Sequence, residues 1–359
     1  MSDPAVTGPR RVVPTVEFVP RGLARVAGAT IPNLVNHGGP VIGSVEVVPI
    51  YWGAAWATGT NATLATQLDG FFDFIVKSSY MDLLTEYGTA ATTIGRGSRL
   101  ASARVTNSEP GTITATGRLV TDAQIQTALQ GFIADQTVPA TTSNTLYFVF
   151  LPPNVVSMTD NLSSCAAGGF CGYHNHIGSV HYAVIPFVDC SGCTFGGKFL
   201  DTLTEVCSHE LAEAITDPEG NAWFDPVTGP GDEIGDICNR ETTRLGGFLV
   251  QTEWSNSRQA CVAPPPPTLF QGSPAAVSWG PDRLDFFGIG TNGHMFQRAW
   301  TGAAFGGWVD LGGSFQGSPA AVSWGPDRLD FFGIGTNGHM FQRAWTGAAF
   351  GGWVDISMT

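Results

Sequence analysis

The decapeptide CSHELAEAIT, Cys207–Thr216, sets His209 beside Glu210 and places Glu213 four residues beyond the histidine. On an α-helix, residues four apart share a face, so His209 and Glu213 can offer an imidazole nitrogen and a carboxylate oxygen to one ion. Zinc takes both donor types at similar bond lengths, about 2.0–2.2 Å. Glu210 then stands where a general base can take a proton from water activated by the metal. The pattern is the zinc-peptidase string His-Glu-x-x-His with a carboxylate replacing the second imidazole. That leaves the ion less positive and its water a weaker acid. The competing reading is an ordinary acidic helix face turned to solvent, because short strings of this kind arise by chance.

The rest of a ligand shell must come from elsewhere. Glu205, His209 and Glu213 fall at i, i+4 and i+8. Asp217 is eight residues from His209, about 12 Å along an intact helix, and reaches the site only if the chain turns back at Pro218. GDEIGDIC (231–238) supplies Asp232, Glu233 and Asp236, with Glu233 lying 24 residues past the histidine. The same stretch is oxygen-rich enough to suit calcium instead. CGYHNHIGSVHY (171–182), read as a cysteine-bounded loop, adds His174, His176 and His181.

Regular elements must hold these residues. KFLDTLTEVCSHELAEAIT (198–216) is the longest helix candidate, and it stops at Asp217-Pro218 as a proline dictates. ATLATQLDGFFDFIVKSS (62–79) and TDAQIQTALQGFIAD (121–135) carry apolar residues at helical spacing, the second with a Thr-Asp start signal. SVEVVPIYWG, NTLYFVFLPP and HYAVIPFV read as strands. Residues 41–263 are therefore expected to form one α/β (or α+β) domain, preceded by an extended leader over 1–40.

Composition narrows the function classes. Of 359 residues, 43% are hydrophobic and 13% charged, with 46 Gly and 23 Pro, which describes a folded, loop-rich chain. A formal net charge of −13 argues against a nucleic-acid or anionic-membrane surface, since phosphate binding needs clustered Lys and Arg. No apolar run has the length of a transmembrane helix, and the first thirty residues lack the continuous apolar region of a standard signal peptide. Cys165, Cys171, Cys190, Cys193, Cys238 and Cys261 lie in Gly-, Pro- and Asn-rich stretches, where disulfides are useful. Cys207 sits in the helical pattern as the unpaired seventh. These features point to an extracellular protein. A Cys238–Cys261 bridge would be worth roughly 3 kcal/mol in the chain-entropy model. The rival is a four-thiolate zinc site from Cys165, Cys171, Cys190 and Cys193, whose first pair is spaced too widely for the usual knuckle.

APPPPT (263–268) marks a stiff boundary, giving a proline-rich linker over 264–269. Beyond it, 270–310 recurs letter for letter at 315–355, a period of 45 residues. AAVSW, RLDFFGIG, HMFQRAW and GWVD are four β-prone runs separated by turn signals, the content of one four-stranded propeller blade. Residues 270–359 are expected to form an all-β module of two such blades. Two blades cannot close a ring, so several chains together would.

Two resemblances follow from these strings. NHGGPVIGSVEVVPIYWGAAW, SSYMDLLTEYG, GFCGYHNH, CSGC and HELAEAITDP, in this order, resemble the EXORDIUM / phosphate-induced protein family and its bacterial branch, over roughly 36–262. Plant members of that family are extracellular, cell-wall-associated growth regulators without an established enzymatic activity, and their equivalent helix often lacks the His-Glu pair. The resemblance implies His174 as a site residue. The repeat resembles tectonin-like or fucose-lectin propellers, which implies sugar binding between blades, with Trp300, Trp308, Trp345 and Trp353 as candidates; burial of these rings as core is the competing reading.

The first expectation is thus a secreted zinc-dependent hydrolase, a peptidase acting on peptide or cell-wall material. In it, His209 and Glu213 bind zinc, Glu210 activates water, and Glu233, Asp236 or His174 completes the shell, while the C-terminal module binds a fucosylated glycan. The alternative is a non-catalytic extracellular glycan-binding protein.

Overall fold

The computed structural model describes residues 31–115, 117–159, 161–190, 192–194, 197–227, 233–264 and 270–357, together with a strand at Arg11–Pro14. The chain divides into two compact units, Met1–Pro266 and Pro267–Thr359.

A seven-stranded sheet organises the first unit. Its strands are β1 (Arg11–Pro14), β2 (Glu46–Trp52), β3 (Ser98–Arg99), β4 (Ala103–Val105), β5 (Thr145–Phe150), β6 (Phe170–Ile177) and β7 (Val180–Ile185). They run in the order β1-β6-β7-β5-β2-β3, with β4 also on β2. β7, β5, β2 and β3/β4 are parallel to one another, whereas β6 and β1 add antiparallel at one edge.

Parallel strands are covered on both faces, so they read as continuous apolar runs rather than alternating ones. All six residues of β5 and the last six of β2 are buried. Val47, Tyr51, Leu146, Phe148 and Phe150 face one core, with α1 (Gly59–Ile75) and α3 (Phe199–Thr216). Val48, Ile50, Tyr147 and Val149 face the other, with α2 (Asp122–Ala134). The arrangement is a three-layer α/β unit. Thr121 starts α2 with a capping box shared with Gln124.

Two expectations change. The leader does not extend to residue 40: Leu34 is buried, its amide donates to Asn256 Oδ1, and Val35–Asn36 pair with Trp223–Phe224. The stretch read as a histidine loop is strand β6. Its Gly, His and Asn content hid a strict alternation: Tyr173 and Asn175 hydrogen-bond Asp122 at the start of α2, while His174 points the opposite way, to Glu210 on α3.

The second unit is all β. Its first four-stranded antiparallel sheet comprises Phe270–Val277, Leu284–Gly290, Met295–Trp300 and Val309–Asp310. The second comprises Phe315–Gly325, Arg328–Gly335, Met340–Trp345 and Val354–Asp355. Each sequence repeat is one sheet, or blade. The linker positions 265–269 lie outside the described residues.

Candidate metal centre

Helix α3 is not a solvated acidic face. Every residue from Asp201 to Thr216 is buried, including Glu205, His209, Glu210 and Glu213. One side of α3 packs on β6 and β7, and another on a hairpin of β8 (Thr242–Leu245) and β9 (Phe248–Gln251). Polar stitches fix α3 to β9: Thr204 Oγ1 donates to the Leu249 carbonyl (2.8 Å), and the Gln251 amide donates to Ser208 Oγ (2.9 Å). The helix ends where the sequence says it should. Asp217 Oδ1 then accepts the amides of Asn221 and Ala222, which makes it a turn-former rather than a ligand.

Gln251 orients the ring of His209. Its Nε2 donates to the Gly235 carbonyl (2.8 Å), which orients its Oε1 toward His209 Nδ1 at 3.1 Å. A proton on Nδ1 is thereby held toward Gln251 and Nε2 is turned toward the carboxylates, the usual outer support of a ligating histidine. Nε2 itself is buried. It lies 3.0 Å from Glu213 Oε1 and 3.7 Å from Asp236 Oδ1. A tetrahedral ion with bonds of about 2.0–2.2 Å holds its ligand atoms roughly 3.3–3.6 Å apart. The two distances bracket that spacing, so His209, Glu213 and Asp236 fit one ion.

A second triad, His174, Glu213 and Glu233, shares Glu213 with the first. His174 Nδ1 lies 3.3 Å from Glu210 Oε2 and 3.6 Å from Glu213 Oε2, and its Nε2 lies 3.9 Å from Glu233 Oε2. All six residues drawn from the sequence thus converge on one place. His176 and His181 do not: their rings meet the Gly178 carbonyl and Glu219. Asp232 lies outside the described residues. Each triad holds one imidazole beside two carboxylates, and an imidazole donor suits zinc or a similar ion better than calcium, which takes oxygen ligands.

Burial gives the cluster its electrostatic character. It raises Glu205 to about 7 against the pull of His209 and Arg240, and Glu253 to about 8 despite a hydrogen bond from Tyr80. Burial also holds Glu210 well above the usual carboxylate range. For His209, burial opposes the charge, but the Glu213, Glu210 and Asp236 carboxylates win and hold it well above the ordinary imidazole value. Without an ion the cluster keeps protons; a bound divalent cation would replace them.

Sequence reasoning missed several supporting residues. A side chain at Gly235 would meet His209 Nδ1 at 2.9 Å and Glu213 Oε1 at 3.0 Å, and one at Gly172 would meet Glu210 Oε1 at 2.9 Å. Both glycines let backbone press against the site. Gln251 and Glu253 were unmarked too, since they join the site only through the hairpin. Glu253 lies 2.5 Å from the Tyr80 hydroxyl.

The cysteines pair as Cys165–Cys190, Cys171–Cys193 and Cys238–Cys261, with Cys207 free and buried. Two bridges tie the region of β6, which carries His174, to the segment before α3, and the third closes the loop after Asp236. The four-thiolate zinc alternative is therefore set aside. Three disulfides suit an oxidising compartment, and no described helix is long and apolar enough to cross a membrane.

In the second unit, Trp308 is exposed and Trp300, Trp345 and Trp353 are half-buried. Trp353 Nε1 donates to the Leu311 carbonyl (3.1 Å), between the two blades. A cavity of about 370 Å³ opens on the first blade, bounded by Phe270, Gly288, Arg298, Phe305 and Trp308.

No protein-family model and no curated protein matches the chain, so no assignment rests on the EXORDIUM resemblance. Solved structures give weak likenesses. A fucose lectin from Kordia zhangzhouensis in complex with methyl-fucoside shares 17% identity over 32% of this chain and 84% of its own, with a TM-score of 0.21. The SapL1 lectin in complex with alpha methyl fucoside shares 20% over 39% of this chain and 54% of its own, with a TM-score of 0.22. OgpA from Akkermansia muciniphila shares 12% over 91% of this chain and 99% of its own, with a TM-score of 0.25. At such scores none of them carries an assignment of fold or function.

Proposed function

We propose that the first unit is a secreted metal-dependent hydrolase of the peptidase type, acting on peptide or cell-wall material, and that the second unit binds glycan. The observation that carries the hydrolase reading is the buried His209 Nε2, oriented from behind by Gln251 and one ligand spacing from Glu213 and Asp236. When bound there, a zinc ion would polarise a substrate carbonyl and make water acidic near neutral pH. Glu210, in its carboxylate form, would accept the proton from water. His174, 3.3 Å from Glu210 Oε2, steadies that carboxyl and can carry the proton onward.

The test is metal analysis together with peptide hydrolysis. About one zinc per chain is expected in protein purified without chelator. Glu210→Gln should keep the metal and lower turnover by roughly 10²- to 10⁴-fold, whereas His209→Ala should lose both. Protein without zinc, and with a melting temperature that ignores added zinc, sinks the metal centre.

A second reading has its own observation. No side chain among His174, His209, Glu210, Glu213, Glu233 and Asp236 is more than 11% exposed, and closed sites are the mark of structural metals. On this reading the ion braces α3, and the chain is a non-catalytic extracellular glycan-binding protein. The half-buried Trp353 and Arg343 at the junction of the blades favour it, since an aromatic face beside a guanidinium suits a sugar. Zinc that raises the melting temperature of a protein with no turnover selects this reading.

A further inference from the structure

Identical sequences in different surroundings show what the C-terminal unit lacks. In the second blade Phe315, Leu329 and Phe331 are buried. Their counterparts 45 residues earlier, Phe270, Leu284 and Phe286, are half-exposed, and Phe305 is 51% exposed. The opposite faces show the reverse. In the first blade Phe287, Ile289 and Met295 are buried, whereas their counterparts Phe332 and Ile334 are half-exposed and Met340 is 44% exposed; just past the repeat, Leu311 is buried while Ile356, a different residue at the same place, is 39% exposed. The cause is the internal junction, where one face of the first blade covers the other face of the second: Phe287 stacks on Phe331 at 4.6 Å, and Leu311 accepts hydrogen bonds from Arg343 and Trp353. One face of each kind is left uncovered.

A single socket makes the match specific. A Cβ placed on Gly333 would touch Phe315 at 2.7 Å and Met295 Cε at 3.1 Å, so Met295 fills the space over that glycine. The counterpart, Gly288, meets Phe270 at 2.6 Å in the same way, but no methionine follows. Gly288 and Phe270 instead line the 370 Å³ cavity. The side chain that occupies the equivalent place in the internal junction has its own counterpart in Met340, which is exposed on the far blade of the same chain.

We propose that this cavity is the docking site for the second blade of another copy of this chain, with Met340 of that copy seated over Gly288, repeating the internal junction head to tail. Such a contact uses two different faces, so it closes into a ring only after a whole number of chains. Propellers hold roughly four to eight blades, which corresponds to about two to four chains of two blades each. The inference stands apart from the metal centre, since every residue in it belongs to the second unit.

Light scattering on the full-length protein tests it. A closed oligomer of about two to four chains is expected for the wild type. Phe305→Asp damages only the first-blade face and Met340→Asp only the second-blade face, and both positions are solvent-exposed, so the folds survive. Each variant alone should be monomeric. Mixed, the two should form a 1:1 dimer through the one intact pair of faces. A monomeric wild type, a single variant that still oligomerises, or a mixture that stays monomeric overturns the proposal. So does a fucoside bound in the cavity of the monomer, which would make this a sugar site instead.

Discussion

Glu205 and Glu253 are carboxylates in a place with almost no water, and the metal-free cluster must answer to pH. Their folded values of about 7 and about 8 lie above the ordinary 4.5. The folded state therefore holds protons that the unfolded chain has already released, and stability falls as pH rises from about 4.5 to about 8. For Glu205 the effect is on the order of 3 kcal/mol. A divalent ion reverses the slope of its own contribution, because it binds the deprotonated donors and competes with protons. Melting curves of EDTA-treated protein should drop between pH 5 and pH 8 (a window taken from these two groups), while the gain from added zinc should grow over the same range. A metal-free melting temperature that climbs steadily across that window contradicts the picture.

Elements bring the site together, and they explain what the sequence could and could not say. Helix α3 was legible in extent, because apolar spacing and Pro218 define it. Its burial was not: four acidic and imidazole side chains on one helix read as a solvated face until β6, β7 and β9 close over them. His174 was legible as a residue but not as part of a strand, since alternation of Tyr, His and Asn carries no apolar period. The role of β9 left no local signal. Gln251 lies 42 positions from His209, and only the β8–β9 hairpin brings them together. Removing its amide by Gln251→Leu frees the His209 ring and leaves the Gly235 carbonyl without its donor. Zinc affinity, read by competition with a chromogenic chelator, should weaken by about 10- to 100-fold, the usual effect of losing the outer partner of a ligating histidine. Unchanged affinity would show that the ring is held by packing alone.

At the scale of the whole molecule, the repeat was legible letter by letter, yet its most informative property was invisible. Two identical strings cannot announce which face of each is covered; only placing them side by side separates Met295, buried, from Met340, exposed. Each unit also has its own core. Among the described residues, the clusters around α1, α2 and α3 draw on buried residues up to Trp254, with Cys261 packed against them, and the third cluster draws on the blades. Cooperative unfolding follows shared packing, so each unit should melt as its own transition. Calorimetry of the intact chain should then show two transitions. Zinc should raise one of them, by mass action on the folded state that binds it. Met340→Asp should lower the other and make it independent of protein concentration, since the wild-type transition includes dissociation of the ring. A single transition that responds to both treatments would mean that the units unfold as one body.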